Sequence, residues 1–128
     1  MSCRALIIED DPESRYLMRY LLQGVGCQVE EASDGEAGLV AIRADTPDLI
    51  LLDIGLPGMD GFEVLNSLRQ IPDGAKIPVV VVTAHLTADE RAELERNGVS
   101  FFVEKPIDPP ALLKHIRALL GLSCCKGT

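Results

Sequence analysis

The chain has 128 residues, 47% of them hydrophobic and 25% charged, a composition that suits one globular domain and argues against disorder. Twelve Lys and Arg against twenty Asp and Glu give a net charge of −8; a field of that sign repels phosphate backbones, so the expected partner is a protein and not a nucleic acid. No apolar run approaches the ~20 residues that span a bilayer, and Met1–Arg4 leads straight into a strand instead of a signal peptide, so the protein is expected to be soluble and cytoplasmic.

In chain order, the first expected strand is Ala5–Ile8, a continuous apolar run of the kind buried on both faces of a sheet. Asp11-Pro12 then supplies an N-cap and a proline at the first helical position. Tyr16, Leu17, Tyr20, Leu21 and the neighbouring Leu22 give this helix an apolar face at three-to-four spacing. Gly24-Val25-Gly26 ends it. Cys27–Glu31 alternates and reads as a strand toward one edge of the sheet. Leu49–Leu52 is a second fully apolar strand, and Asp60, three residues before Glu63, marks a helix start with no chemistry assigned to it.

Val79–Val82 is the third apolar run. Thr87-x-x-Glu90 forms a capping box, and Asn97-Gly98 stops the helix that the box begins. Phe101–Val103 is short and belongs toward the other edge. Asp108-Pro109 opens the last helix, whose Leu112, Leu113, Ile116, Leu119 and Leu120 share a face and which Gly121 stops. The order strand-helix, five times over, predicts an α/β fold with a parallel sheet covered on both faces. One domain is expected over residues 1–121, with a short tail over 122–128 and no output domain. Cys3, Cys27, Cys124 and Cys125 form no CxxC and no His/Cys ligand set, so they are expected to be ordinary reduced thiols. His85 and His115 are expected at the surface.

Residues with chemistry follow the strands: Glu9, Asp10 and Asp11 the first, Asp53 the third, Thr83 the fourth and Lys105 the fifth. In an open parallel sheet the carboxyl ends of the strands line the ligand crevice, so these side chains are expected to meet. Carboxylates so gathered repel, by ~4 kcal/mol per pair at ~4 Å and an effective dielectric of 20, and need positive charge nearby. A hard divalent cation such as Mg²⁺, together with Lys105, meets that need and makes room for a phosphoryl group. Asp53 then suits the nucleophile that forms an acyl phosphate, and the Thr83 hydroxyl suits a phosphoryl oxygen. Asp11 also suits a plain helix cap.

The motifs "IIEDDP", "LLDIGLPGMDGFEVL", "IPVVVVTA" and "FFVEKPI", taken as a set over about residues 4 to 121, resemble the receiver domain of bacterial two-component response regulators. That resemblance implies a flavodoxin-like, doubly wound (βα)5 fold with strand order 2-1-3-4-5. It implies Asp53 as phosphoacceptor; Asp10, Asp11, Asp53 and the Gly55 carbonyl as Mg²⁺ ligands; Thr83 and Lys105 on the phosphoryl oxygens; and Thr83 with Phe102 as switch residues. Lys105-Pro106 is the implied cis peptide. Gly55 and His85 depart from common side chains beside the site and bear on phosphoryl lifetime.

The implied partners are a histidine kinase or histidine phosphotransfer protein, and a downstream target on the surface of the fourth helix, fifth strand and fifth helix. The chain would be a monomer or weak dimer, self-dephosphorylating and not an enzyme acting on an external substrate. It would be a single-domain regulator or the receiver of a hybrid kinase. The alternative is a docking module that has lost phosphotransfer. A phosphatase using DxDxT does not fit, because Asp53-Ile54-Gly55 lacks the second Asp, and no strand is followed by GxGxxG.

Overall fold

Five segments form five parallel strands in a computed structural model that describes residues 3–56, 58–99 and 101–120. The elements are β1 (Cys3–Ile8), α1 (Pro12–Gly24), β2 (Cys27–Ala32), α2 (Gly35–Ala44), β3 (Leu49–Leu52), α3 (Gly61–Gln70), β4 (Val79–Thr83), α4 (Ala88–Arg96), β5 (Phe101–Glu104) and α5 (Pro109–Leu120). A short 3-10 turn over Gly74–Lys76, not among the expected elements although Pro72-Asp73-Gly74 is a turn signal, leads into β4. The sheet runs β2-β1-β3-β4-β5, so the alternating strand and the short strand lie at the two edges, as expected.

The central strands divide their side chains between two cores because successive residues point to opposite faces. Ala5 and Ile7 of β1, Leu49 and Leu51 of β3, and Val80 and Val82 of β4 pack with α1 and α5 on one face. Leu6 and Ile8, Ile50 and Leu52, and Val79 and Val81 pack with α2, α3 and α4 on the other. That two-sided burial is why these runs carry no polar residue until the strand ends.

The helix signals hold where they are described. Asp11 caps α1 with Pro12 behind it, Asp60 and Glu63 make a capping box on α3, and Thr87 and Glu90 make one on α4. Gly98, at φ 84, follows the Asn97 cap of α4. The Gly121 stop lies outside the described residues.

Two expectations are corrected. Of the expected α1 face, Leu21 and Leu22 are buried with Met18 and Leu17 packs against the same core, but Tyr16 and Tyr20 are 71% and 65% exposed. Residues 18, 21 and 22 keep the same three-to-four spacing on a neighbouring stripe, and tyrosine tolerates water at its hydroxyl end. Cys3 and Cys27 are joined in a disulfide and are not free thiols. They face each other in the β1–β2 register with Cα atoms 4.8 Å apart, a separation within disulfide range. Cys124 and Cys125 lie outside the described residues. Among those described, no helix is long and apolar enough to cross a membrane.

Candidate functional site

Beyond three of the strands, β1, β3 and β5, the next residue's amide stays bonded to a neighbouring strand. The Glu9 amide donates to Ala32 O (3.0 Å), the Asp53 amide to Ile8 O (3.0 Å) and the Lys105 amide to Thr83 O (2.7 Å). The first residues beyond β1, β3 and β5 are therefore still held by the sheet, and their side chains converge at its carboxyl edge. Glu9, Asp53 and Thr83 are the buried polar or charged residues among those described, at 0%, 6% and 4% exposure.

Lys105 sits at the centre. Its Nζ lies 3.2 Å from Asp53 Oδ2, to which it donates a hydrogen bond, and 2.9 Å from Glu9 Oε1. Burial alone would pull its ammonium down, but the Glu9 contact and the Asp53 charge outweigh that and hold it above the usual lysine value. Asp53 Oδ1 accepts the Gly55 amide at 2.8 Å, so both of its oxygens are engaged.

Glu9 Oε2 accepts the Asp11 amide at 3.0 Å, while Oε1 makes no hydrogen bond of its own beyond the charge contact with Lys105. Burial pushes the Glu9 carboxyl up to about 7; the Lys105 contact and the Asp11 amide offset only part of this, and the Asp53 charge adds to it.

The three carboxylates gathered here are Glu9, Asp10 and Asp53, with ligand atoms all within 4.8 Å of one another. Asp11, expected in the group, is not among them. Its Oδ2 accepts the Ser14 amide (3.1 Å) and the Ser14 hydroxyl (2.7 Å), contacts that hold its carboxyl below the usual range and commit it to the α1 cap. The physical reason is register. β1 ends at Ile8, so Glu9 is the residue still tied into the sheet and turned inward, and Pro12 at the first helical position makes residue 11 the cap. The Asp11-Pro12 signal that marked the helix start was also the signal that Asp11 was already engaged.

Thr83 ends β4 beside this group, and the Lys105–Pro106 peptide is cis. Gly55 and His85 are exposed. Phe102 is half-buried against the core under α2, α3 and α4, with the Arg91 guanidinium 4.7 Å above its ring. Glu104 reaches across from β5 to accept the Leu86 amide at 3.1 Å, tying the loop after β4 to the neighbouring strand. Neither contact of β5 was legible in the sequence.

Three carboxylates face one lysine, so the site carries excess negative charge. That is a donor set of hard oxygens, which fits a divalent cation of the Mg²⁺ type.

The family model of the response regulator receiver domain matches residues 5–117. Protein PilH of Pseudomonas aeruginosa is 34% identical over 118 residues, 92% of this chain and 98% of PilH. Response regulator PleD of Caulobacter vibrioides is 38% identical over 119 residues, 93% of this chain but 26% of PleD. Among solved structures, the chemotaxis protein CheY4 of Vibrio cholerae superposes with a TM-score of 0.87 at 27% identity, covering 94% of this chain and 100% of that one.

Proposed function

Because the chain belongs to the response regulator receiver domain family, whose members are signalling domains of two-component systems, we propose that Asp53 accepts a phosphoryl group from a phosphohistidine on a kinase or phosphotransfer protein. The observation that carries this reading is Asp53 itself. It is a nearly buried carboxylate at the end of a central strand, 3.2 Å from a lysine and within 4.8 Å of two further carboxylate ligand atoms.

In the transfer, an Asp53 carboxylate oxygen attacks phosphorus and the phosphorus–nitrogen bond to the donor imidazole breaks; the imidazole leaves neutral, taking the bonding pair on that nitrogen and keeping the proton already on its other one. Lys105 Nζ, already at Asp53 Oδ2, moves its hydrogen bonds onto phosphoryl oxygens, and the buried Thr83 hydroxyl donates to another. Glu9, Asp10, Asp53 and the Gly55 carbonyl would hold Mg²⁺, which when bound neutralises charge on the phosphoryl oxygens. Water later attacks the acyl phosphate in the same pocket and restores the carboxylate.

Phosphorylation adds about −1.5 to −2 of charge and new acceptor oxygens at Asp53. Drawing Thr83 and Lys105 toward them moves the loop after β4, which Glu104 holds through Leu86, and the ring of Phe102, which Arg91 covers. The surface of α4, β5 and α5 is where a downstream protein would read that change.

The test is transfer from an isotopically labelled phosphohistidine domain. Label should move to this chain, should be released by hydroxylamine as an acyl phosphate is, and should not move to Asp53→Asn. Label retained by the donor, or label on the Asp53→Asn protein, contradicts the assignment.

A further inference from the structure

Two of the three site carboxylates project from one turn, which the Glu9 amide still ties to the sheet through Ala32 O. Glu9 and Asp10 follow the end of β1, and among the described residues no backbone amide donates to their carbonyls, which therefore need other partners. The partner is Arg15, in the first turn of α1. Its Nη1 donates to Glu9 O at 2.9 Å and to Asp10 O at 3.4 Å, while its Nε donates to Glu31 Oε1 at 3.1 Å.

Arg15 and Glu31 are 23% and 26% exposed at their side chains, and the second Glu31 oxygen pairs with Arg19 Nε. Among the described residues Arg15 forms its ion pair with Glu31 and with none of the site carboxylates. Its reach is to the backbone that carries them.

We propose that Arg15, braced by Glu31, is a positioning residue for the acidic group: by holding the two carbonyls it fixes the peptide planes from which Glu9 and Asp10 project, and thereby sets the affinity for a divalent cation. This rests on the acidic group being the cation site of the proposed function.

Charge and position make opposite predictions, which is what makes the inference testable. Withdrawing a cation from beside three carboxylates should, by charge alone, tighten binding of another cation. Loosening the turn should weaken it, since groups that orient metal ligands typically matter about tenfold or more in affinity.

The experiment titrates the full chain with MgCl₂ by calorimetry, with backbone amide NMR as a second readout. Arg15→Met is expected to bind Mg²⁺ about tenfold more weakly and to shift the Asp10 and Asp11 amides even without metal. Arg15→Lys, which still offers a donor to one carbonyl, should recover part of the loss. Arg19→Met removes an equal charge from the same Glu31 cluster without touching either carbonyl, and should bind as the parent protein does or more tightly.

If Arg15→Met does not fold, Arg15→Lys and Glu31→Gln carry the comparison, each expected to be several-fold weaker than the parent. Variants at Arg15 that bind as tightly as the parent, or more tightly, overturn the positioning role. A parent protein that takes up no Mg²⁺ overturns the cation reading first and this inference with it, so the two failures are distinguishable.

Discussion

Glu9 is the residue whose environment differs most from that of an exposed carboxylate. Its carboxyl titrates near 7 in the folded chain against 4.5 for the ordinary group, so between those values the folded state holds a proton that the unfolded state has lost. Stability then falls as pH rises through this window: the contribution is complete below 4.5 and gone above about 7. At about 1.4 kcal/mol per pKa unit, the effect is about 3 kcal/mol at most. Urea melts of metal-free protein across this range should show the decline, and Glu9→Gln should remove it. A parent-minus-variant difference that does not change with pH would contradict a buried, protonatable Glu9.

The neighbouring aspartates separate cleanly by the same reasoning. Asp11→Ala removes an N-cap and should cost about 1 kcal/mol in stability while leaving Mg²⁺ affinity within about twofold. Asp10→Ala should leave stability nearly intact and weaken Mg²⁺ by about tenfold or more. Calorimetric titration together with denaturant melts distinguishes the two patterns, and the reverse pattern would return Asp11 to the site. This is also where the sequence was least legible. Three consecutive acids carry no periodicity, and which of them turns inward depends on where β1 ends, to within a single residue.

At the level of elements, α4 stands apart. It buries Leu94 alone, whereas α2 and α3 each bury four residues and α1 and α5 three. What holds α4 is its capping box, the Leu86–Glu104 hydrogen bond just before it and the Arg91–Phe102 contact. A helix with so little apolar anchoring should open at low free energy. Native-state hydrogen exchange should therefore find α4 amides less protected than those of α1 and α3, and Arg91→Ala should lower their protection further. Equal protection across the helices would count against α4 as the moving element.

By contrast α3 is fixed against the site loop. A Cβ at Gly61 would strike the Cα and side chain of Ile54, the residue after Asp53, so Gly61→Ala should destabilise by about 1–3 kcal/mol as that backbone is displaced. The helix starts were readable because capping is local chemistry within four residues. The Arg91–Phe102 and Leu86–Glu104 contacts were not, because they join elements whose adjacency only the fold creates.

Across the whole molecule, the strand order brings residues 9, 53, 83 and 105 to one edge although they are spread along most of the chain. The apolar runs of β1, β3 and β4 made that arrangement readable, since strands buried on both faces must be central and a parallel sheet places its ligands at the carboxyl ends. The Cys3–Cys27 disulfide was not readable by spacing, because it depends on β1 and β2 being neighbours in register. The exposed tyrosines of α1 were misjudged for a related reason: two overlapping stripes satisfy the same helical period, and only the sheet beneath selects one.

In the proposed function Asp53 is a carboxylate that accepts phosphorus with help from Lys105 and a cation. The most direct measurement is the intact mass of the protein after incubation with acetyl phosphate, with and without Mg²⁺, alongside Asp53→Asn. The expected result is the addition of one phosphoryl group that requires Mg²⁺, maps to Asp53 and is lost in the variant. No addition from acetyl phosphate, joined by no transfer from a phosphohistidine donor, would contradict it and leave a receiver fold that works by docking alone.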